Sequence, residues 1–184
     1  GGVVRNLATT HLLDRLAAHF GEKCIETPVG FKWIAAGMQQ NNALLGGESS
    51  GGLTIRGHIL GKDGIFASAL IIEMLAKTGK HISELQELVW AITGRLYTIE
   101  DNLAATADMR VIVPQRVQAL ITSGQAPLKV LRVRDDDGTK LYFEGDSWVL
   151  LRFSGTEPVL RIFAEGHSPE QAQALVDWLK QAAQ

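Results

Sequence analysis

Short apolar runs alternate with helix-like stripes along the first half of the chain. Four runs are typical of strands: Val3-Val4, Cys24-Ile25-Glu26, Ala43-Leu44-Leu45 and Leu53-Thr54-Ile55. The first helix should follow Thr9 or Thr10 as its N-cap and end before Gly21, and the second should open at Thr27-Pro28 and reach Met38. This alternation predicts an α/β domain with a mixed sheet and helices on both of its faces.

A third helix, residues 65–77, has apolar side chains around most of its circumference: Ile65, Phe66, Ala69, Leu70, Ile72 and Leu75. A helix that is apolar all round is expected to be buried, here between the sheet and another helix. Asp63 should be its N-cap. A fourth helix, from Ser83 to Ile92, should turn Leu85, Leu88 and Val89 inward. Thr93-Gly94 then marks the expected boundary between two domains, residues 1–93 and 94–184.

The second half of the chain favours strands. They are expected at Leu96 to Ile99, around Leu131 and Val133, and at Thr139 to Phe143, Trp148 to Phe153 and Val159 to Glu165. Residues 105–122 are helical in pattern, but Pro114 is expected to prevent an uninterrupted helix. A final helix should open at Ser168-Pro169 and face the sheet through Ala172, Leu175, Val176 and Leu179. The second domain is therefore predicted to be α+β, a smaller antiparallel sheet backed by helices in a TBP-like arrangement.

Asp135-Asp136-Asp137-Gly138 is typical of a hairpin turn between two of these strands. Three adjacent aspartates also suggest a calcium loop, but no glutamate follows at the spacing that such a loop needs. We interpret the segment as a turn, and we predict no metal site in this chain.

Composition excludes several classes of function. A formal charge of −2 and a pI near 6.2 leave no basic surface for nucleic acid. No apolar run approaches the roughly 20 residues of a membrane span, so no membrane partner is expected. Cys24 is the only cysteine, which rules out an intrachain disulfide and favours a cytoplasmic location. The start at Gly1-Gly2, without a methionine, suggests an excerpt of a longer chain.

Two loops contain the chemistry of a binding site. Gly46 to Gly52 places four glycines around Glu48 and two serines, a set suited to sugar hydroxyls because a carboxylate accepts and a hydroxyl donates or accepts. The alternative is a mobile surface hairpin. The segment Arg152-Phe153-Ser154-Gly155-Thr156-Glu157-Pro158 combines a guanidinium, two hydroxyls and a glycine, as phosphate-binding loops do. The alternative here is an ordinary turn with Arg152 as a solvated charge.

Taken together, these segments resemble the C-terminal half of the α-D-phosphohexomutase superfamily, most closely its bacterial phosphoglucomutase/phosphomannomutase members. Gly47 to Gly52 resembles the family's sugar-binding loop, commonly G-E-E-S-G-G, and His58 to Gly64 resembles its H-x-x-x-K-D-G segment. Arg152 to Pro158 matches its R-x-S-G-T-E-P phosphate loop without a mismatch. The resemblance covers essentially the whole chain.

The resemblance implies a reaction in which phosphate is exchanged between the C1 and C6 oxygens of a hexose through a bisphosphorylated intermediate. The family has four domains, and this chain looks like the third, without its first helix, followed by the fourth. The phosphoserine and the magnesium-binding aspartates belong to the first two domains, and neither a T-x-S-H-N nor a D-G-D-x-D segment is present here. We therefore expect Mg²⁺ and a glucose 1,6-bisphosphate-type activator to serve the full enzyme, with this chain binding neither. Its expected partners are a hexose phosphate and the missing N-terminal domains.

The resemblance also assigns roles to single residues. Glu48 and Ser50 would bind sugar hydroxyls, and Lys62 would lie near the reacting hydroxyl, either as a ligand or as a proton-transfer group. The phosphate that is not transferred would be held by Arg152, Ser154, Gly155 and Thr156. Weaker candidates for substrate binding are Lys32, His58 and Arg161, and a structural role for Arg161 is equally compatible. Ser49 replaces the usual second glutamate of the family, and Leu60-Gly61 replaces a common arginine-glutamate pair. These differences leave the preference for glucose or mannose open. The alternative function is a stand-alone, non-catalytic phosphosugar-binding module.

Overall fold

The computed structural model describes residues 1–183. The chain divides into two compact units, Gly1–Arg95 (unit 1) and Leu96–Gln184 (unit 2). Among the residues described, no helix is long and apolar enough to cross a membrane.

Unit 1 contains a four-stranded mixed sheet. Its elements in chain order are β1 (Val3–Asn6), α1 (Leu12–His19), β2 (Cys24–Thr27), α2 (Phe31–Asn41), β3 (Leu45–Gly47), β4 (Leu53–Ile55), α3 (Gly64–Thr78) and α4 (Ile82–Thr93). The strand order is β2-β1-β3-β4, in which β1 pairs in parallel with β2 and β3, and β4 pairs antiparallel with β3. The mixed sheet predicted from the alternating pattern is confirmed.

Helices cover both faces of this sheet. A Cβ added to Gly37 of α2 would lie 3.0 Å from Val4 Cγ1, whereas the next residue, Arg5, donates to Asp14 of α1. Because consecutive strand residues point to opposite faces, α2 and α1 lie on opposite sides. The α2 side is packed so closely that a Cβ at Gly46 of β3 would lie 2.4 Å from Met38 Sδ.

Arg5, whose side chain is buried, anchors α1 to the sheet through ion pairs. Its Nε and Nη2 donate to the two Asp14 oxygens at 2.5 and 2.9 Å, and its Nη1 donates to Glu26 Oε2 at 2.6 Å. Burial by itself lowers the pKa of Arg5, but these two carboxylates outweigh it and raise the pKa. The guanidinium is therefore a fixed cation between α1 and the β1-β2 pair.

The prediction that α2 opens at Thr27-Pro28 is wrong. Thr27 is the last residue of β2, where it pairs with Asn6 and its carbonyl accepts from Leu7 N at 2.9 Å. Those sheet hydrogen bonds outweigh the local N-cap preference of threonine. The helix begins at Phe31, after Gly30, whose φ of 126° belongs to a region that favours glycine.

The predicted burial of the third helix is also wrong. No residue of α3 is buried, and Ile65 and Ile72 are 87% and 66% exposed. The helix packs against β4, a three-residue edge strand that is too short to cover a 15-residue helix. Leu88 of α4, expected inward, is likewise 52% exposed. The N-cap prediction is confirmed, since Asp63 Oδ1 accepts from Phe66 N at 2.9 Å.

Unit 2 is an antiparallel sheet with two helices. Its elements are β5 (Tyr97–Ala104), α5 (Met109–Thr122), β6 (Val130–Arg134), β7 (Thr139–Phe143), a 3₁₀ turn (Glu144–Asp146), β8 (Trp148–Phe153), β9 (Val159–Gly166) and α6 (Pro169–Ala183). The strand order is β5-β9-β8-β7-β6, with every neighbouring pair antiparallel. Ala172, Leu175, Val176 and Leu179 of α6 are all buried in the core, as predicted.

The prediction that Pro114 prevents an uninterrupted helix is wrong. Helix α5 runs from Met109 to Thr122 with Pro114 inside it. A proline in a helix interior costs about 3 kcal/mol through the lost hydrogen bond and ring crowding. Complete burial of Val113 and Val117 against the sheet offsets a cost of that size.

Candidate functional site

In unit 1 the candidate residues lie on the loop between β3 and β4, residues Gly47 to Gly52, here called the glutamate loop. Its backbone is closed by hydrogen bonds from Glu48 N to Gly52 O at 2.9 Å and from Gly51 N to Glu48 O at 3.0 Å. Gly51 has a φ of +91°, a conformation that glycine adopts without strain. The loop is therefore a tight turn with a defined shape.

Glu48 points inward and is held by three donors. Its side chain is 3% exposed; Oε1 accepts from Asn6 Nδ2 at 3.1 Å and from Gly30 N at 3.0 Å, and Oε2 lies 2.9 Å from Lys62 Nζ. Burial raises the pKa of Glu48, but the hydrogen bonds from Lys62, Asn6 and Gly30 outweigh it and leave the pKa below its ordinary value. Glu48 is thus an ionised carboxylate with most of its acceptor capacity used.

Lys62 reaches Glu48 across the glycine at the end of the loop. A Cβ at Gly52 would lie only 2.7 Å from Lys62 Cε, so the lysine stem occupies the space that a side chain at residue 52 would need. The Lys62 side chain is 52% exposed, and its Nζ lies 5.8 Å from the centroid of the Phe31 ring. The structure therefore brings Glu48 and Lys62 together, with the lysine also open to solvent.

Two residues that hold the glutamate loop were missed in the sequence analysis. Asn6 donates to Glu48 while its Oδ1 accepts from Ala8 N at 3.0 Å and from Thr9 Oγ1 at 2.8 Å. Thr9 Oγ1 in turn accepts from Ser49 N at 3.0 Å. The sequence pattern predicts only an N-cap role for Thr9, whereas the N-cap of α1 is His11. A polar residue at the carboxyl end of a parallel strand, where Asn6 stands, is the signal that could have pointed to this network.

The remaining candidates of unit 1 do not join this pair. Ser50 is exposed at the tip of the glutamate loop. Lys32 is exposed and its Nζ lies 4.9 Å from the Trp33 ring centroid. His58 Nε2 lies 3.0 Å from Asp63 Oδ2, and its ring stacks on Phe66 at 3.8 Å. His58 thus supports the beginning of α3, and the ligand roles of all three residues stay predictions.

In unit 2 the candidates lie at the end of β8 and in the turn that leads to β9, on residues Arg152 to Pro158, here called the arginine loop. Ser154 is 5% exposed, and its Oγ accepts from Thr156 N at 3.3 Å and Glu157 N at 3.2 Å. Its hydroxyl therefore shapes the turn. Gly155 and Thr156 are exposed, and a Cβ built on Gly155 has no atom within 4 Å. The open side of the loop has room for a ligand there.

Arg110 of α5 supports this loop and was also missed. Its Nη2 donates to Ser154 O at 2.9 Å, and its guanidinium lies 5.0 Å from the Phe153 ring centroid. The two residues are 44 positions apart in the chain, so no local pattern could have indicated the contact. Arg110 therefore holds the backbone of the arginine loop at Ser154.

Arginine side chains flank the loop on both strands. Arg152 donates from Nε to Asp137 Oδ1 at 2.9 Å. Arg161 of β9 donates from Nη1 to Glu100 at 3.1 Å and from Nη2 to Glu157 at 2.9 Å. Two carboxylates on Arg161 favour the structural alternative for that residue.

The comparisons with known proteins agree with this architecture. The family model described as phosphoglucomutase/phosphomannomutase, alpha/beta/alpha domain III, matches residues 1–92, and the model described as phosphoglucomutase/phosphomannomutase, C-terminal domain, matches residues 109–182. A phosphoglucomutase/phosphomannomutase of Thermococcus kodakarensis is 36% identical over 96% of this chain, and a phosphoglucosamine mutase of Geotalea daltonii is 31% identical over 93% of it.

Solved structures show the same fold. A crystal structure from Thermus thermophilus, assigned as a phosphomannomutase, is 36% identical, covers 98% of this chain and has a TM-score of 0.74. The open form of parafusin, a phosphoglucomutase from Paramecium, is 24% identical over 98% of the chain with a TM-score of 0.78 and supports the fold alone.

The chain spans only about a third of the curated relatives it matches, 36% of the Thermococcus protein and 33% of the Geotalea protein, and 36% of each of the two solved chains. Both family models lie in chain order and together match most of it. This chain belongs to the phosphoglucomutase/phosphomannomutase family of α-D-phosphohexomutases, whose domain III and C-terminal domain it matches.

Proposed function

We propose that this chain supplies sugar and phosphate recognition to a phosphohexomutase that interconverts hexose 1-phosphate and hexose 6-phosphate, of glucose, mannose or both, through a bisphosphorylated intermediate. Residues 1–93 form domain III and residues 94–184 form domain IV in this proposal. The observation that carries it is the match of both family domains in order, with the glutamate loop in one and the arginine loop in the other.

The glutamate loop recognises the sugar in this proposal. A carboxylate has about four acceptor sites, and Glu48 uses three of them on Asn6, Gly30 and Lys62. One site remains for a sugar hydroxyl. Ser50 adds a hydroxyl that both donates and accepts, and the half-exposed ammonium of Lys62 donates. In this proposal Lys62, which is held by Glu48, binds the sugar as a ligand. The alternative role for Lys62 is proton transfer.

The arginine loop recognises phosphate. Arg152 uses Nε on Asp137, which leaves its terminal nitrogens for a bidentate interaction with phosphate oxygens. Thr156 offers its hydroxyl and Gly155 its backbone N–H on the open side of the loop. Ser154 keeps one hydroxyl proton to donate but serves mainly to hold the turn. When the loop binds the phosphate that is not transferred, it also positions the sugar. Binding energy from a remote part of the substrate thus orients the reacting part.

The chemical step belongs to other domains of a longer protein in this proposal. No group of three or more His, Cys, Asp or Glu side chains within residues 1–183 is arranged to hold a metal ion. Glu48 and Asp137, the carboxylates beside the two loops, are engaged with cations of the chain itself. As the family resemblance implies, we propose that the magnesium ion, the phosphoserine and the bisphosphate activator lie outside these residues.

Binding of glucose 1-phosphate to the 184-residue chain tests the proposal. We expect Arg152→Ala to weaken binding by about tenfold or more, the scale of lost charge-assisted hydrogen bonds. Arg116→Ala is the matched control, because Arg116 is an exposed arginine of unit 2 with no ion pair among the described residues. Glucose without phosphate should bind more weakly than its phosphate. Equal affinities for the Arg152 variant and the parent chain would remove the phosphate-binding role.

An assay for glucose 6-phosphate formation tests whether this chain binds substrate without carrying out the chemical step. With glucose 1-phosphate, magnesium and glucose 1,6-bisphosphate supplied, we expect the chain to bind substrate without turnover. Formation of glucose 6-phosphate by the purified chain would place catalytic groups within these residues and would contradict the proposal.

A further inference from the structure

The turn between β6 and β7, residues Asp135 to Gly138, contains the Asp137 partner of Arg152 but is assigned no ligand-binding role in the function proposed above. It lies directly against β8, because a Cβ at Gly138 would be 2.5 Å from the Leu151 carbonyl oxygen and 3.1 Å from Arg152 Cβ. Gly138 has a φ of +91°, so both its conformation and its surroundings require glycine. The turn is thus fixed beside the first residue of the arginine loop.

The three aspartates of this turn differ in what they bond. Asp136 accepts a two-point interaction from Arg134, with Nε to Oδ1 at 2.5 Å and Nη2 to Oδ2 at 2.7 Å, and this closes the turn on itself. Asp137 accepts from Arg152 Nε at 2.9 Å. Asp135 is exposed and has no hydrogen bond or ion pair within residues 1–183.

The Asp137 contact determines how Arg152 is presented. Both side chains are about a fifth exposed, at 22% and 23%, so the pair lies at the surface beside the loop. The two terminal nitrogens of a guanidinium lie side by side, the arrangement that matches two phosphate oxygens. A hydrogen bond at Nε restricts rotation of the group and leaves both of these nitrogens available. Neither terminal nitrogen of Arg152 bonds to a residue in the described part of the chain. An arginine free to rotate would lose more rotamer entropy on binding phosphate than one that is already held.

We propose that Asp137 is a positioning residue that orients Arg152 for phosphate binding, with the Gly138 contact holding the turn in place. This inference rests on the proposed phosphate-binding role of the arginine loop. Asp137 acts through Arg152, and its own charge opposes an anion bound nearby. Positioning and simple charge repulsion therefore predict opposite results when the carboxylate is removed.

Inorganic phosphate is the probe, titrated into the 184-residue chain and its variants. Asp137→Ala should weaken phosphate binding about tenfold, because the Arg152 side chain must then be ordered by the ligand alone. Asp137→Asn keeps an oxygen that accepts from Nε and should restore most of the affinity. Asp135→Ala removes the same charge two residues away and should bind phosphate as the parent chain does. Thermal unfolding checks that each variant folds. If Asp137→Ala does not fold, Asp137→Asn is used in its place. We then expect Asp137→Asn to bind phosphate no more tightly than Asp135→Ala does.

The NMR signal of the Arg152 Nε–H group gives a second reading, because it reports directly whether Asp137 holds this group in solution. It should be shifted and protected from exchange in the parent chain and in Asp135→Ala, and it should lose that protection in Asp137→Ala. Phosphate affinity in Asp137→Ala equal to or tighter than that of Asp135→Ala would overturn the inference, and so would an unchanged Nε–H signal. If Arg152→Ala itself binds phosphate normally, the phosphate role of the loop fails together with the inference. If Arg152→Ala loses affinity but Asp137→Ala binds phosphate normally, the inference alone fails.

Discussion

Glu48 combines a structural task with its proposed role in sugar binding. Because three donors bond to its carboxylate, its pKa is lower in the folded chain than in the unfolded one. Such a group stabilises the fold at pH values above the ordinary carboxyl pKa, and that stabilisation is lost as the pH falls through the lowered pKa. We therefore expect the contribution of Glu48 to the stability of the fold to be lost at acid pH.

We expect Glu48→Gln to lower the free energy of unfolding at pH 7 by about 1–3 kcal/mol, because Lys62 loses its carboxylate partner. Below the ordinary carboxyl pKa of about 4.3, the difference between parent and variant should shrink. Urea denaturation at several pH values measures both effects. Glu144→Gln, at an exposed carboxylate in unit 2, is the control. A constant difference between parent and Glu48→Gln across the acid range would contradict the ion-pair account.

Cys24 gives a second prediction at this scale. Burial raises the pKa of the Cys24 thiol to about 12, with the nearby Asp14 carboxylate adding to the effect. Since the thiolate is the reactive form, alkylation by iodoacetamide at pH 8 should be much slower in the folded chain than in concentrated guanidinium chloride. As Cys24 is the only cysteine, the mass of the intact chain reports the reaction. Equal rates in both conditions would show that the thiol is not protected.

At the scale of elements, the packing of α2 on β3 depends on a residue without a side chain. A Cβ at Gly46 would lie 2.4 Å from Met38 Sδ and 2.6 Å from Ile34 Cγ2. Gly46→Ala should therefore destabilise the fold by about 1–3 kcal/mol through overpacking. Gly61→Ala, where a Cβ meets nothing within 4 Å, should have little effect. Urea denaturation of both variants is the measurement, and equal stabilities would show that α2 moves away at little cost.

Local patterns predicted the strands of the sheets and the inward face of α6, because period two and period 3.6 are set by the backbone. They failed where tertiary contacts decided. Thr27 has the local signature of an N-cap but is used by β2, and Pro114 is accepted because Val113 and Val117 are buried. The apolar surface of α3 predicted burial, yet burial depends on a partner, and the edge strand β4 is too short to be one.

For the whole molecule, the sequence motifs predicted the family, and the comparisons confirm it. The candidate loops could be located from the sequence because glycine, hydroxyl and charged residues cluster there. The position of Asn6 at the carboxyl end of a parallel strand is a signal of the same kind, but its contact with Glu48, 42 residues away, is not written in any local pattern. Neither is the contact between Arg110 and Ser154, which lie 44 residues apart. Such contacts arise only when the sheets form. The roles of the loops in ligand binding remain our proposals.

We propose above all that the glutamate loop binds sugar and the arginine loop binds phosphate. Amide NMR shifts of the 184-residue chain, recorded during titrations with inorganic phosphate and with glucose 1-phosphate, test it most directly. We predict that inorganic phosphate shifts Ser154 to Glu157 alone, and that glucose 1-phosphate also shifts Gly47 to Gly52 and Lys62. Shifts elsewhere in the chain, or none in either loop at saturating ligand, would contradict the account.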